Sequence, residues 1–200
     1  MRSLCAIVIV LMLATSCRAF GRPTSTVAPL ISAAFLSVHV FATNTGDADG
    51  RSRLPGLRDS IAGALPDAWA AATNGRGKLS IRTDADIDVE LNGSAGTSAL
   101  TQHTRDGKII SRSIIVHTVD GRHLSVPEIM ATTLHELGHI WCCYGPGTTD
   151  GHWSDPQPTF HATGMMYSPM RCQVVAGSEP TCPTAFSDRE IEAMGLTHAP

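Results

Sequence analysis

Apolar residues recur along the chain with two kinds of spacing, and each predicts an element. Between Phe35 and Phe41 they alternate with polar residues among good β-formers, which suits a first strand. From Leu57 to Thr73 the period is helical: Leu57, Ile61, Ala64, Leu65, Ala68, Trp69 and Ala72 share one face. Pro66 inside that stretch predicts a kink or a division into two helices, and Asn74-Gly75 ends it. Lys78 to Leu91 alternates strictly, Leu79, Ile81, Ile87, Val89 and Leu91 standing against Asp84, Asp86, Asp88 and Glu90. That row of acids is the set cations would use, and equally the wet face of a half-buried strand, the reading preferred here. Asn44 to Gly50 reads as a loop: Asp47 and Asp49 before Gly50 resemble a calcium loop that has no acid at its first and last ligand positions. Asn92 to Ala99 reads as a second loop, and Ile109, Ile110, Ile114, Ile115 and Val116 mark one or two strands within Lys108 to Val119. Strands, a helix, more strands and a second helix predict a layered α/β (α+β) domain.

The second helix opens at Ser125-Val126-Pro127-Glu128, a capping-box sequence, and Gly145-Pro146-Gly147 must end it. At 100° per residue, Val126, Ile129, Met130, Thr133, Leu134, Leu137, Ile140 and Trp141 fall in one stripe. His135 and His139 lie on the other side, about 40° apart around the axis and one turn apart along it. With Glu136 they make His135-Glu136-Leu137-Gly138-His139, the H-E-x-x-H pattern. Two imidazoles at this spacing grip one Zn²⁺, while the Glu is rotated to reach a water on the metal and take its proton. A second capping box, Ser187-Asp188-Arg189-Glu190, opens a short closing helix through Met194.

Composition changes the picture in two places. The 200 residues are 42% hydrophobic and 16% charged with a net charge of −3, a globular composition without the clustered Lys and Arg of a nucleic-acid binder. The second place is the N-terminus, where Arg2 and the apolar run Leu4–Leu13 read as a signal peptide over residues 1–19, too short to span a bilayer. Ala14-Thr15-Ser16-Cys17 resembles a lipobox, which makes Cys17 a candidate for lipidation; cleavage after Ala19 is the other route. The expected place of work is outside the cytoplasm, secreted or lipid-anchored in the envelope, with that lipid as the sole membrane contact. Removing residues 1–19 takes away Arg2 and Arg18 and no acid, so the 15 basic side chains become 13 against 18 acidic ones, net −5. Residues 20–32 read as a tether and 33–200 as the catalytic domain. Four cysteines stay in that body, and an even count in an exported chain favours disulfides. Adjacent Cys142 and Cys143 are poorly placed to pair with each other, so each is expected to reach one of Cys172 and Cys182, in either order.

The helix motif resembles that of the metzincins, a family of zinc metalloendopeptidases. In that family the motif continues with Gly three residues after the second His and a third His three later. Here Cys142 and Gly145 hold those places, so the third ligand lies elsewhere. The family's second mark, a tight turn with a Met beneath the metal, is matched by Gly164-Met165-Met166-Tyr167-Ser168. With Met166 as the floor and Tyr167 after it, the preferred reading, the segment is similar to the matrixin turn; with Met165 as the floor, Tyr167 takes the place of the astacin tyrosine. The resemblance implies a metzincin-like zincin domain: a twisted mixed sheet, an active-site helix, and a small C-terminal lobe ending in a short helix. It also implies that a strand within Lys108 to Val119 forms the upper rim of a cleft and pairs with extended substrate.

For the third ligand the candidates are Asp150, His152, Asp155 and His161. His152 is preferred: glycines before it allow a flexible excursion, and a His-Trp pair 14 residues before Met166 resembles the leishmanolysin arrangement. Gly147-Thr148-Thr149-Asp150 resembles the aspzincin segment in which Asp is the ligand, and Asp155 would follow metzincins with a third Asp. The expected function is therefore exported zinc-dependent endopeptidase, a monomer with one catalytic Zn²⁺ acting on peptides or proteins. The alternatives are a non-catalytic envelope binding module on the same fold, against which Glu136 speaks, and an aspzincin-like peptidase using Asp150.

Overall fold

The computed structural model describes residues 32–43, 48–105, 108–142, 148–149, 152–154, 165–168, 172–173 and 176–196. Signal, tether up to residue 31, Cys17, Asp47, Cys143, Gly145-Pro146-Gly147, Asp150, Asp155 and His161 lie outside them. Strand β1 (Phe35–Thr43) is the alternating segment expected, with Leu36, Val38 and Val40 buried. Helix α1 runs over Ala48–Ala72, nine residues earlier than the periodicity placed its start, taking in part of the supposed 44–50 loop. It continues through Pro55 and Pro66 as one element. An internal proline costs about 3 kcal/mol; the buried stripe Leu54, Leu57, Ile61, Leu65, Trp69 and Ala72 outweighs it by packing on the sheet, while Ala64 is exposed. Asn74 (φ 58°) and Gly75 (φ 76°) turn the chain out of the helix, and Gly75 N–H donates to Ala70 O (2.7 Å).

Lys78 to Leu91 is two strands rather than one: β2 (Lys78–Ile81) and β3 (Ile87–Ala95). Both pair parallel with β1, on opposite edges, with Ile81 and Ile87 both at the level of Val38. The chain must therefore cross β1 between them, and Ser37 Oγ holds the crossing by donating to Asp86 Oδ2 (2.5 Å) and accepting the Asp86 amide (3.0 Å). The acidic row is used one acid at a time, Asp84 by Arg82, Asp88 by His39 (3.1 Å) and Glu90 by Thr43 (2.6 Å), as a wet face.

A strand the periodicity did not mark, β4 (Ala99–Arg105), pairs antiparallel with β5 (Lys108–Val119), which is a single element. The five-stranded order is β2-β1-β3-β5-β4, with β4 alone antiparallel. This corrects the expected rim: β5 has both edges taken, by β3 and β4, so among the described strands the edge on this side of the sheet belongs to β4. Helices α1 and α2 (Val126–Gly138) both contact the sheet, and Val38, Ile87, Val89, Leu91, Ile114 and Val116 meet Ile61, Leu65, Trp69, Ile129, Leu134 and Leu137 in one core. The result is a mixed α/β domain.

The start of α2 is as the sequence predicts. Glu128 accepts from Ser125 N–H (2.9 Å) and Oγ (2.8 Å), and Arg122 adds a two-pronged ion pair (Nη1–Oε2 3.0 Å, Nη2–Oε1 2.5 Å). These donors, Arg122 foremost, hold the Glu128 carboxyl at about 2. Because the folded value is depressed, its stabilisation is present above the ordinary value near 4.5 and is lost as pH falls towards 2. Glu128→Gln is expected to cost about 1 kcal/mol at neutral pH, and urea titrations should show the difference from wild type shrinking through that acid window.

The C-terminal part holds a second small sheet, β6 (Thr148–Thr149), β7 (His152–Ser154) and β8 (Tyr167–Ser168), and the closing helix α3 (Asp188–Ala193). Cys172 pairs with Cys182, contrary to the expected bridges from Cys142 and Cys143. Gln173 and Thr181 exchange both backbone hydrogen bonds (2.7 and 2.9 Å), which sets residues 172 and 182 opposite each other with Cα atoms 4.2 Å apart, as in a non-hydrogen-bonded antiparallel pair. Cys142 is also disulfide-bonded, and not to either of these. Non-reducing peptide mapping should return a Cys172–Cys182 cross-linked peptide; a Cys142–Cys172 or Cys142–Cys182 peptide would contradict the register.

Candidate metal centre

The stripe that buries α2 also aims its chemistry. Leu134 and Leu137 are sunk in the core, so the residues between and beyond them, His135, Glu136 and His139, face the side where the sheet ends at β4. His139 caps the helix with its N–H on His135 O (3.3 Å), which keeps the two imidazoles one turn apart. Their Nε2 atoms stand 3.2 Å from each other.

The third imidazole comes from the small sheet. His152 pairs with Thr149 on β6, and its neighbours Trp153 and Ser154 pair with Tyr167 and Ser168 on β8. Strand β7 is thus held between β6 and β8, and His152 Nε2 arrives 3.0 Å from His135 Nε2. One ligand atom from each of the three histidines lies within 4.8 Å of the others. Two nitrogens on a tetrahedral ion at 2.0–2.1 Å stand about 3.3 Å apart, so the triad is already near the spacing an ion requires. These three residues can hold one metal ion.

Protonation favours the same use. Burial, the dominant cause, lowers His135 to about 4 and His139 to about 3, with the neighbouring rings adding to it. Neutral imidazole is the ligating form. His135 Nδ1–H donates to Met165 O (2.7 Å), which leaves its Nε2 lone pair free to point at the ion.

Met165 and Met166 are both fully buried, and each has its own task. Met165 supplies that carbonyl, while Met166 packs its sulfur on Gly138, inside the H-E-x-x-H turn. A Cβ at Gly138 would stand 2.5 Å from Met166 Sδ and 2.9 Å from the Phe186 ring. Gly138→Ala is therefore expected to lower the melting temperature, because overpacking of about 1–3 kcal/mol exceeds the ~1 kcal/mol gained in helix propensity. A rise in melting temperature would show that the floor yields. Tyr167 lies on β8 through its backbone, directly after this turn.

Glu190 is the residue the sequence reading missed. In the sequence it is only the far end of a capping box, and it does accept from Ser187 N–H (2.5 Å) and Oγ (2.9 Å). Its fully buried carboxylate also accepts from Met166 N–H (2.5 Å) and Met165 N–H (3.3 Å), tying α3 to the turn that orients His135. Burial raises its pKa against these bonds. The position after Asp188-Arg189 carries no mark that separates such a clamp from an ordinary cap.

Glu136 is buried beside the triad, and burial pushes its carboxyl up to about 7 against the Leu100 N–H that it accepts. An open cleft of about 590 Å³ runs past these residues, bounded on the other side by Thr97, Ser98, Leu100 and Gln102. The triad, an acid next to it and an open cleft under an edge strand can support a metal-assisted attack by water on an extended ligand. No family model and no curated protein sequence matches the chain.

Proposed function

We propose that the chain is a zinc-dependent endopeptidase of the metzincin type that works outside the cytoplasm. The observation that carries this reading is the convergence of His135, His139 and His152 in a cleft that also holds Glu136. Three protein ligands beside an open cleft is the pattern of catalytic rather than structural zinc. The lone antiparallel edge strand, the Met165-Met166 turn beneath the triad and the closing helix support the metzincin assignment. His152 at the third corner favours that assignment over the aspzincin alternative with Asp150.

A zinc ion held there supplies a Lewis acid and a water of lowered pKa. The edge of β4 offers backbone N–H and C=O groups to an extended peptide, which sets the scissile bond along the cleft. Glu136, fixed by Leu100 N–H, takes a proton from water at a carboxylate oxygen and returns it to the leaving amine. The Cys172–Cys182 bridge agrees with an oxidising compartment, and among the described residues no helix is long and apolar enough to cross a membrane.

The test is metal analysis of the exported protein together with digestion of a denatured protein. The expected result is about one zinc per chain and internal cleavage that stops on chelation and returns with added zinc. Zinc binding without any cleavage would replace the peptidase by the binding-module reading.

A further inference from the structure

Arg112 on β5 is a buried cation that meets no carboxylate among the described residues. It is 6% exposed, and its Nε is fully buried without a hydrogen-bond partner. Burial lowers its pKa, and among the described residues no acid acts in the other direction. By contrast, Arg58, Arg82 and Arg122 each meet a carboxylate. A guanidinium left this way is costly, and a native fold retains such a group where something else supplies the acceptor.

The sheet register shows from which side an acceptor can come. Arg112 lies opposite Ile87 on β3 and opposite Gln102 on β4, with Ile114 next on the same face of its own strand. Ile87 and Ile114 are fully buried and close two sides. Gln102 is exposed and lines the cleft that holds the histidines, so the cross-strand neighbour of Arg112 on that side borders the cleft. Cross-strand neighbours on one face have Cβ atoms about 5 Å apart, within reach of an arginine that extends towards the edge strand.

We propose that Arg112 is a specificity residue that receives an acidic side chain, Asp or Glu, of a peptide lying along β4 over Gln102. The identity of the ligand as a peptide rests on the endopeptidase reading; the carboxylate requirement rests on Arg112. A guanidinium in a partly desolvated setting pairs strongly with a carboxylate, and the matching amide forgoes the charge.

The experiment uses the zinc-loaded Glu136→Gln protein and a peptide library blocked at both ends, so that the only carboxylates are side chains. Bound peptides are identified by mass spectrometry. The expected result is enrichment of Asp or Glu at one position, at least about tenfold over Asn or Gln, and its loss in Glu136→Gln/Arg112→Met. A second variant avoids dependence on the fold of the first. Gln102→Glu places a carboxylate of the chain beside Arg112, and should raise the melting temperature by about 2–4 °C and erase the acidic preference. No peptide bound, equal binding of acid and amide, preference retained without Arg112, or a lowered melting temperature in Gln102→Glu would each overturn the proposal. A wild-type protein that cleaves nothing while its library selection still shows the Arg112-dependent preference would defeat the peptidase reading alone.

Discussion

Replacing Glu136 by Gln is expected to lower kcat/KM on a denatured protein or a quenched peptide by about 10²–10⁴-fold, the contribution of a positioned general base, with zinc content unchanged. The substitution keeps shape and volume, so the packing around the buried side chain and the hydrogen bond from Leu100 N–H have a partner in the amide oxygen. What disappears is the ability to accept a proton from water and to pass it on. The metal should stay, because the three nitrogens that converge belong to His135, His139 and His152. Zinc by elemental analysis and activity must be read on the same preparation. Full activity in Glu136→Gln would remove Glu136 from the base role, whereas wild type and variant that both bind zinc and both fail to cleave would favour the binding module.

What could be read in the sequence was what depends on neighbours in the chain. The capping box at Ser125, the buried stripe from Ile129 to Leu137 and the two histidines beside it belong to one segment and are present, although Val126, counted in the stripe, is exposed and the helix closes at Gly138 with His139 as its cap, before the expected stop at Gly145. Features set by one segment meeting another were harder to see. The Lys78–Leu91 stretch alternates without a break, yet it becomes two strands because its halves flank β1 on opposite edges. The edge strand Ala99–Arg105 is mostly polar and gave no hydrophobic signal, since an edge beside a cleft has little to bury. Its omission moved the expected rim to β5. The disulfide expectation failed for a similar reason: local proximity of Cys142 and Cys143 said nothing about the hairpin that sets Cys172 opposite Cys182. Glu190 belongs to the same group, because its cap role is local and its clamp on the Met165-Met166 turn is not. His152 is the exception. It was reached through a resemblance and through chain length to the turn, and the small sheet brings it to the triad.

His152→Ala should therefore cost more metal affinity than any substitution outside the triad. Removing an outer partner of a ligand weakens binding by about 10–100-fold; removing a ligand itself should exceed the upper end of that range and take the activity with it. The two helical histidines remain in place, since α2 is held by its own stripe and cap rather than by His152. A partly retained, weak zinc site is thus expected, titratable with a competing chelator, in a protein whose unfolding without metal resembles that of metal-free wild type. Asp150→Ala, Asp155→Ala and His161→Ala serve as the comparison, because each was a rival for the same corner of the site. Those three should keep zinc within a few-fold of wild type. Wild-type zinc affinity in His152→Ala, with loss in one of the other three, would transfer the third ligand to that residue; with Asp150 it would also restore the aspzincin reading.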